Sequence, residues 1–192
     1  TIPDAVPNGQ VEKFYKITNN FANDKATLAW ERHIGYDTVQ NNYTTLYALN
    51  DLNLFLYDEL NNNLIDSSAS AIDNIEQVTF PSSFSSAVIK VDPTGNTPWT
   101  WTNENFAIAA EENSIGVNPP SFIVALENSA SVQTNQVFTV QANVTNTGGV
   151  KAHSVDATLN LPAGFVLIFG SNPQPLGIID SNEKKIASWS VQ

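Results

Sequence analysis

Apolar and polar residues alternate along most of the chain with a period of two, the spacing of half-buried strands, while helical spacing is nearly absent. In VEKFYKI (11–17), Val11, Lys13, Tyr15 and Ile17 share one face, and Glu12, Phe14 and Lys16 share the other. After the turn-like NNFAND, ATLAWERHI (26–34) places Ala26, Leu28, Trp30, Arg32 and Ile34 on one face. TTLYAL, DLNLFLYD, NNLIDSS, NIEQVTF, SAVIKV and NFAIAA continue the series. Eight short strands punctuated by turn residues predict a jelly-roll-like antiparallel β-sandwich over residues 1–112.

EENSIGVNPP breaks this rhythm with charge, Asn, Gly116 and the Pro119-Pro120 pair, so residues 113–120 are expected to be a linker. A second register of strands follows over 121–192: SFIVALE, QVFTVQANVTN, VDATLNLP, FVLIFG and KIASWSVQ. Thr147-Gly148-Gly149 and Pro162-Ala163-Gly164 supply turns between them. This pattern predicts an immunoglobulin-like sandwich without its Cys-Trp-Cys signature. Residues 120–192 number 73, short of the roughly 100 that a seven-strand sandwich occupies, so the domain is expected to be incomplete at its C-terminus. A first residue that is Thr rather than Met adds the expectation of a piece of something longer.

Composition narrows the chemistry. Charged residues are only 14% of the chain, and the formal net charge is -11, so solubility rests on amides, hydroxyls and excess carboxylate. Eight scattered Lys and Arg are too few for a phosphate-binding surface, which argues against a nucleic-acid partner. Cysteine is absent, which removes disulfides, thiolate metal sites and cysteine nucleophiles. No apolar run reaches the roughly 18 residues of a membrane span, so no membrane insertion is expected of this segment. N-x-[ST] sequons at Asn42 and Asn143 are usable acceptors in a secreted protein.

Catalytic constellations are sparse. A nucleophilic triad needs a base, and the only histidines, His33 and His153, fall in different predicted domains with surface or loop roles. Neither a G-x-S-x-G elbow nor a phosphate-cradling glycine motif occurs. Asp51, Asp58, Asp66, Asp73 and Glu76 provide carboxylates for an acid/base pair, whose separation sequence does not supply. Trp99 and Trp101 share a strand face in PWTWTNENF, as core packing or as a carbohydrate platform. In DLNLFLYD, Leu52, Leu54 and Leu56 are expected to point inward, with Asp51, Asn53, Phe55 and Tyr57 on the other face. Asp51 and Asn53 thereby offer hard oxygens for calcium, although Phe55 and Leu56 rule out an EF-hand loop.

The run DLNLFLYDELNNNLIDSSASAIDNIEQVTF, followed by SSAVIKV, resembles the β-sandwich appended after the catalytic domain in many secreted subtilisin-like serine proteases, including the prepeptidase C-terminal type. Asp51, Leu52, Leu54, Leu56, Asp58, Asn63, Leu64, Ser67, Glu76, Val78 and Val91 carry the match. Asn53 replaces a second Asp, and Asn62 replaces a turn Gly, which Asn tolerates in the left-handed conformation. The second half is similar to immunoglobulin-like repeats of extracellular proteins through Asn146, Gly148, Ala152, Val155, Leu161, Pro162, Gly164, Phe165 and the late Ser188-Trp189 strand, after which that family has two more strands. The resemblance implies a non-catalytic, secreted or cell-surface accessory region. Its partners would be a catalytic domain in the same parent chain, or a protein or polysaccharide surface. A structural or adhesive surface-layer protein and a carbohydrate-binding module are the alternatives.

Overall fold

A computed structural model describes residues 2–7, 12–32, 34–46, 49–93, 103–111, 114–128 and 131–192, with backbone alone at 7, 34–37, 42–46, 114 and 128. The chain divides into two compact units, Thr1–Val117 and Asn118–Gln192, and both are all-β among the described residues. Unit 1 contains β1 (Ile2–Pro7), β2 (Lys13–Thr18), β3 (Lys25–Trp30), β4 (Ile34–Asp37), β5 (Asn42–Leu46), β6 (Asn53–Asp58), β7 (Leu64–Ser68), β8 (Ile75–Thr79), β9 (Ser86–Asp92), β10 (Asn103–Ala110) and β11 (Ser114–Val117).

These strands form two antiparallel sheets, ordered β1-β10-β3-β8 and β11-β2-β9-β6-β7, beside a β4-β5 hairpin. With the hairpin and β11 set aside, consecutive strands alternate between the sheets except at β6-β7, which is the eight-strand double Greek key of a jelly roll. Period-two patterning explains the sandwich. Ala26, Leu28 and Trp30 of β3, with Phe106 and Ile108 of β10, meet Tyr15 and Ile17 of β2, Leu54 and Leu56 of β6, and Ile89 and Val91 of β9 in one core. Register keeps like with like: Leu54 lies opposite Val91, and Leu56 opposite Ile89. Each such leucine contributes about 2 kcal/mol by leaving water.

The β6–β7 turn is built by side chains. Asp58 accepts the Leu60 N–H at 2.9 Å, and Asn62 N–H donates to the Asp58 carbonyl at 2.8 Å. Asn62 has φ 59°, the left-handed conformation expected of it as a stand-in for glycine. Asn62→Ala should therefore cost about 1 kcal/mol, whereas Asn62→Gly should stay within a few tenths, as read by urea denaturation. Equal costs for the two would remove the conformational argument.

Three strands of unit 1 lie outside the alternation-based expectation. β1 reads IPDAVP, whose two prolines mask it; it sits at a sheet edge beside β10, where a missing N–H is tolerated. β4 covers IGYD, where ATLAWERHI was expected to run on to Ile34; the strand instead ends at Trp30, and Arg32 is exposed, donating to the Ile72 carbonyl. β11 corrects the linker expected at 113–120: Ser114–Val117 pairs with β2 from Ile17 to Phe14 and extends the sheet of unit 1.

Unit 2 contains β12 (Phe122–Asn128), β13 (Phe138–Asn146), β14 (Ala152–Ala157), β15 (Leu167–Phe169), β16 (Gln174–Ile179) and β17 (Lys184–Val191). The order β12-β13-β17-β15 has the spatial arrangement of the A-B-E-D sheet of an immunoglobulin-like sandwich, with β16 inserted in sequence between β15 and β17, and the two-stranded β14-β16 sheet packs on it. The core joins Ala142, Val144, Leu176, Ile179, Ala187, Trp189 and Val191. β16, flanked by Pro173 and containing Pro175, escaped the sequence pattern. Phe122, Val124 and Leu126 face the core side yet remain 42%, 57% and 66% exposed, lining an open apolar groove of about 290 Å³ with Val144, Val155 and Trp189.

Candidate functional site

The carboxylates that the sequence singled out are spread over unit 1, with Asp51 before β6 and Asp58 at its far end, and the structure separates their roles. Asp58 closes the β6–β7 turn. Asp66 accepts the N–H groups of Ser67 and Thr79, at 2.9 and 2.8 Å. Asp73 accepts the Ser70 hydroxyl at 2.8 Å. Each of these three ties down a turn or strand end.

Asp51 and Glu76 differ from them. Glu76 lies on the inward side of β8, opposite Leu28 of β3, and is only 2% exposed. It accepts the Ser68 hydroxyl and, at 2.7 Å, the Ser70 N–H. Ser68 belongs to the β7 end that pairs with Leu54 of β6, so Glu76 links the edges of the two sheets. Asp51 precedes β6 in the same region and is 6% exposed, against the expectation of an outward position beside Asn53. Its Oδ1 has no hydrogen-bond donor among the described residues. Burial, reinforced by the negative charge of Glu76, pushes the Asp51 carboxyl above its ordinary pKa. Alternation misled here because Asp51 and Leu52 lie before the strand begins, and both are buried.

Beside this pair, Asn50 ties three elements together. Its carbonyl accepts the Trp30 indole N–H at 2.8 Å, and its amide donates to Glu104 at 2.6 Å. Glu104 is fully buried at the start of β10. Neither Asn50 nor Glu104 carried a sequence signal beyond its polarity. Elsewhere, Asp4 is desolvated, but the Tyr15 hydroxyl, the Ala5 N–H and Lys13 outweigh that effect and hold its carboxyl below the ordinary value.

Asn53 opens β6, half-buried, and pairs with Asp92 of β9 in the ladder. Trp99, Trp101 and His33 lie outside the described residues. His153 is half-buried on β14. The Asn143 sequon falls within β13, where the residue is 9% exposed and its amide donates to Glu127 at 2.6 Å, so the acceptor nitrogen is engaged. Asn42 begins β5.

The second set of motif residues forms a hydrogen-bond hub in unit 2. Asn146, without solvent exposure, donates to the carbonyls of Val150 (2.9 Å) and Ile179 (3.1 Å) and accepts the N–H groups of Gly148 (3.0 Å) and Ser121 (3.3 Å). Gly148 is required by close approach, since a Cβ there would lie 2.1 Å from the Pro119 carbonyl oxygen. These residues define architecture and supply no reactive group. Comparison with protein-family models and with curated proteins gave no match.

Proposed function

We propose that the chain is a non-catalytic accessory region of a secreted subtilisin-like serine protease, two β-sandwich modules that stabilise or tether the catalytic domain of the parent polypeptide or hold it at a surface or substrate. The observation that carries the reading is the placement of the motif residues. Leu52, Leu54, Leu56, Val78 and Val91 build the jelly-roll core, Asp58 shapes its turn, and Glu76 joins its sheet edges. The residues that resemble the protease-associated module are thus those that specify the module's fold, and shared framework is what a transferable domain keeps.

The test is the domain order of the parent gene, followed by deletion. An Asp…His…Ser catalytic domain is expected upstream of Thr1, and removal of residues 1–192 is expected to shorten the thermal-inactivation half-life of that protease or release it from its surface. A parent built only of repeated sandwiches would instead make the chain part of an adhesive or surface-layer protein, and the accessory reading would be abandoned.

A further inference from the structure

The geometry points to a calcium site at the acidic edge of unit 1, with Asp51 and Glu76 as its carboxylate pair. The unpartnered atom comes first. Asp51 is 94% buried, the complement of its 6% exposure, and its Oδ1 meets no donor among the described residues. An oxygen shut away from both water and donors needs a proton or a cation. Glu76, on the edge strand β8 and bonded to Ser68 opposite Leu54 of β6, brings a second buried carboxylate to the segment that runs from Asp51 into β6. Among the described residues neither acid pairs with a lysine or arginine.

Glu76 is positioned without being neutralised. Ser68 Oγ and Ser70 N–H each occupy one of its carboxylate oxygens, leaving further lone pairs on both. The donors are hard oxygens, which favour calcium over the zinc and copper that select imidazole and thiolate. Among the described residues no three carboxylate or imidazole side chains converge as a metal cluster. Two carboxylates would therefore need water to complete the shell, a mixture calcium accepts. Such an ion would clip the segment entering β6 to the β7–β8 edge, joining one sheet to the other. The sequence pairs Asp51 with Asn53; the proposed site pairs it with Glu76.

Residues 1–192, stripped with EDTA and exchanged into chelator-free buffer, should take up one calcium per chain in a calorimetric titration. At about 100 times the dissociation constant, calcium should raise the melting temperature of unit 1 by on the order of 10 °C. Asp51→Asn should abolish both effects while melting in EDTA no lower than the parent, since it removes the repulsion with Glu76. Asp156→Asn, exposed on β14, should leave both effects intact. Should Asp51→Asn fail to fold, Glu76→Gln and the titration of the parent chain still decide. Absent or unsaturable uptake, uptake undiminished in Asp51→Asn, or equal melting in calcium and EDTA would overturn the site. Calcium-independent melting that falls as the pH is raised from 4 to 7 would also overturn it and assign the pair a shared proton. In that case Asp51, facing Glu76, holds its proton more tightly folded than unfolded, and the stability it adds is lost as pH rises through its folded value. The proposal does not rest on the protease-accessory reading, because parent domain order and calcium uptake fail independently.

Discussion

Replacing Asn146 by alanine should destabilise unit 2 by roughly 3 to 5 kcal/mol, enough to leave a 75-residue unit largely unfolded at room temperature. The side chain makes four hydrogen bonds, two donated and two accepted, and none of its surface is exposed. Truncation leaves the Val150 and Ile179 carbonyls and the Gly148 N–H to find other partners at buried residues, and releases the N–H of the exposed Ser121. Each buried group left unsatisfied costs about 1 to 3 kcal/mol, so partial rehydration still leaves a large loss. Asn146→Asp separates hydrogen bonding from volume: it keeps the two accepted bonds, loses both donated ones and buries a charge, and should be nearly as damaging. Urea titration followed by far-UV circular dichroism reads the loss directly. A cost under about 1 kcal/mol for the alanine variant would mean that the hub is incidental to stability.

The second large effect belongs to Trp30. Trp30→Ala should cost unit 1 about 3 to 5 kcal/mol through lost packing and the cavity left behind. Trp30 is 4% exposed in the core of β3, lies opposite Phe106, and donates its indole N–H to the Asn50 carbonyl. Trp30→Phe keeps most of the ring contacts and gives up that bond, so its cost should fall to about 1 to 2 kcal/mol. The ordering of the two variants is the decisive reading. If phenylalanine were as costly as alanine, the bond that orients Asn50 and, through it, Glu104 would outweigh packing.

Much of the architecture was legible because strand alternation is a direct record of which side faces the core. Tyr15 and Ile17, Ala26 and Leu28, and Leu54 and Leu56 are all buried on the faces their spacing assigns. β1, β11 and β16 were missed where prolines or glycine and asparagine suppress strand signals, and only the hydrogen-bond ladder of a neighbouring strand recruits them. The break at 113–120 was read as a linker for the same reason, since composition does not reveal that β2 offers an edge to Ser114–Val117.

The acidic residues show a different limit. As an acid/base pool the sequence offers Asp51, Asp58, Asp66, Asp73 and Glu76 alike, whereas all but Asp51 accept local N–H or hydroxyl donors among the described residues, and only Asp51 and Glu76 of them are buried. That distinction depends on contacts between residues such as Ser68 and Glu76, which no spacing rule encodes. The Asn146–Gly148 motif was visible as a pattern. Its cause, a buried hub beside a backbone contact with Pro119, was not.

The turns carry one more consequence. Among the described residues, seven positions other than glycine have positive φ, and six of them are asparagine: Asn19, Asn23, Asn41, Asn62, Asn135 and Asn182. Glycine would adopt these conformations with less strain, but it would also give the denatured chain more freedom to lose on folding. Asparagine accepts the left-handed conformation while restricting that ensemble. The amide-rich composition is therefore more than a polar coat: at these turns it lowers the entropy of the denatured chain, a contribution to stability that no contact in the folded molecule displays.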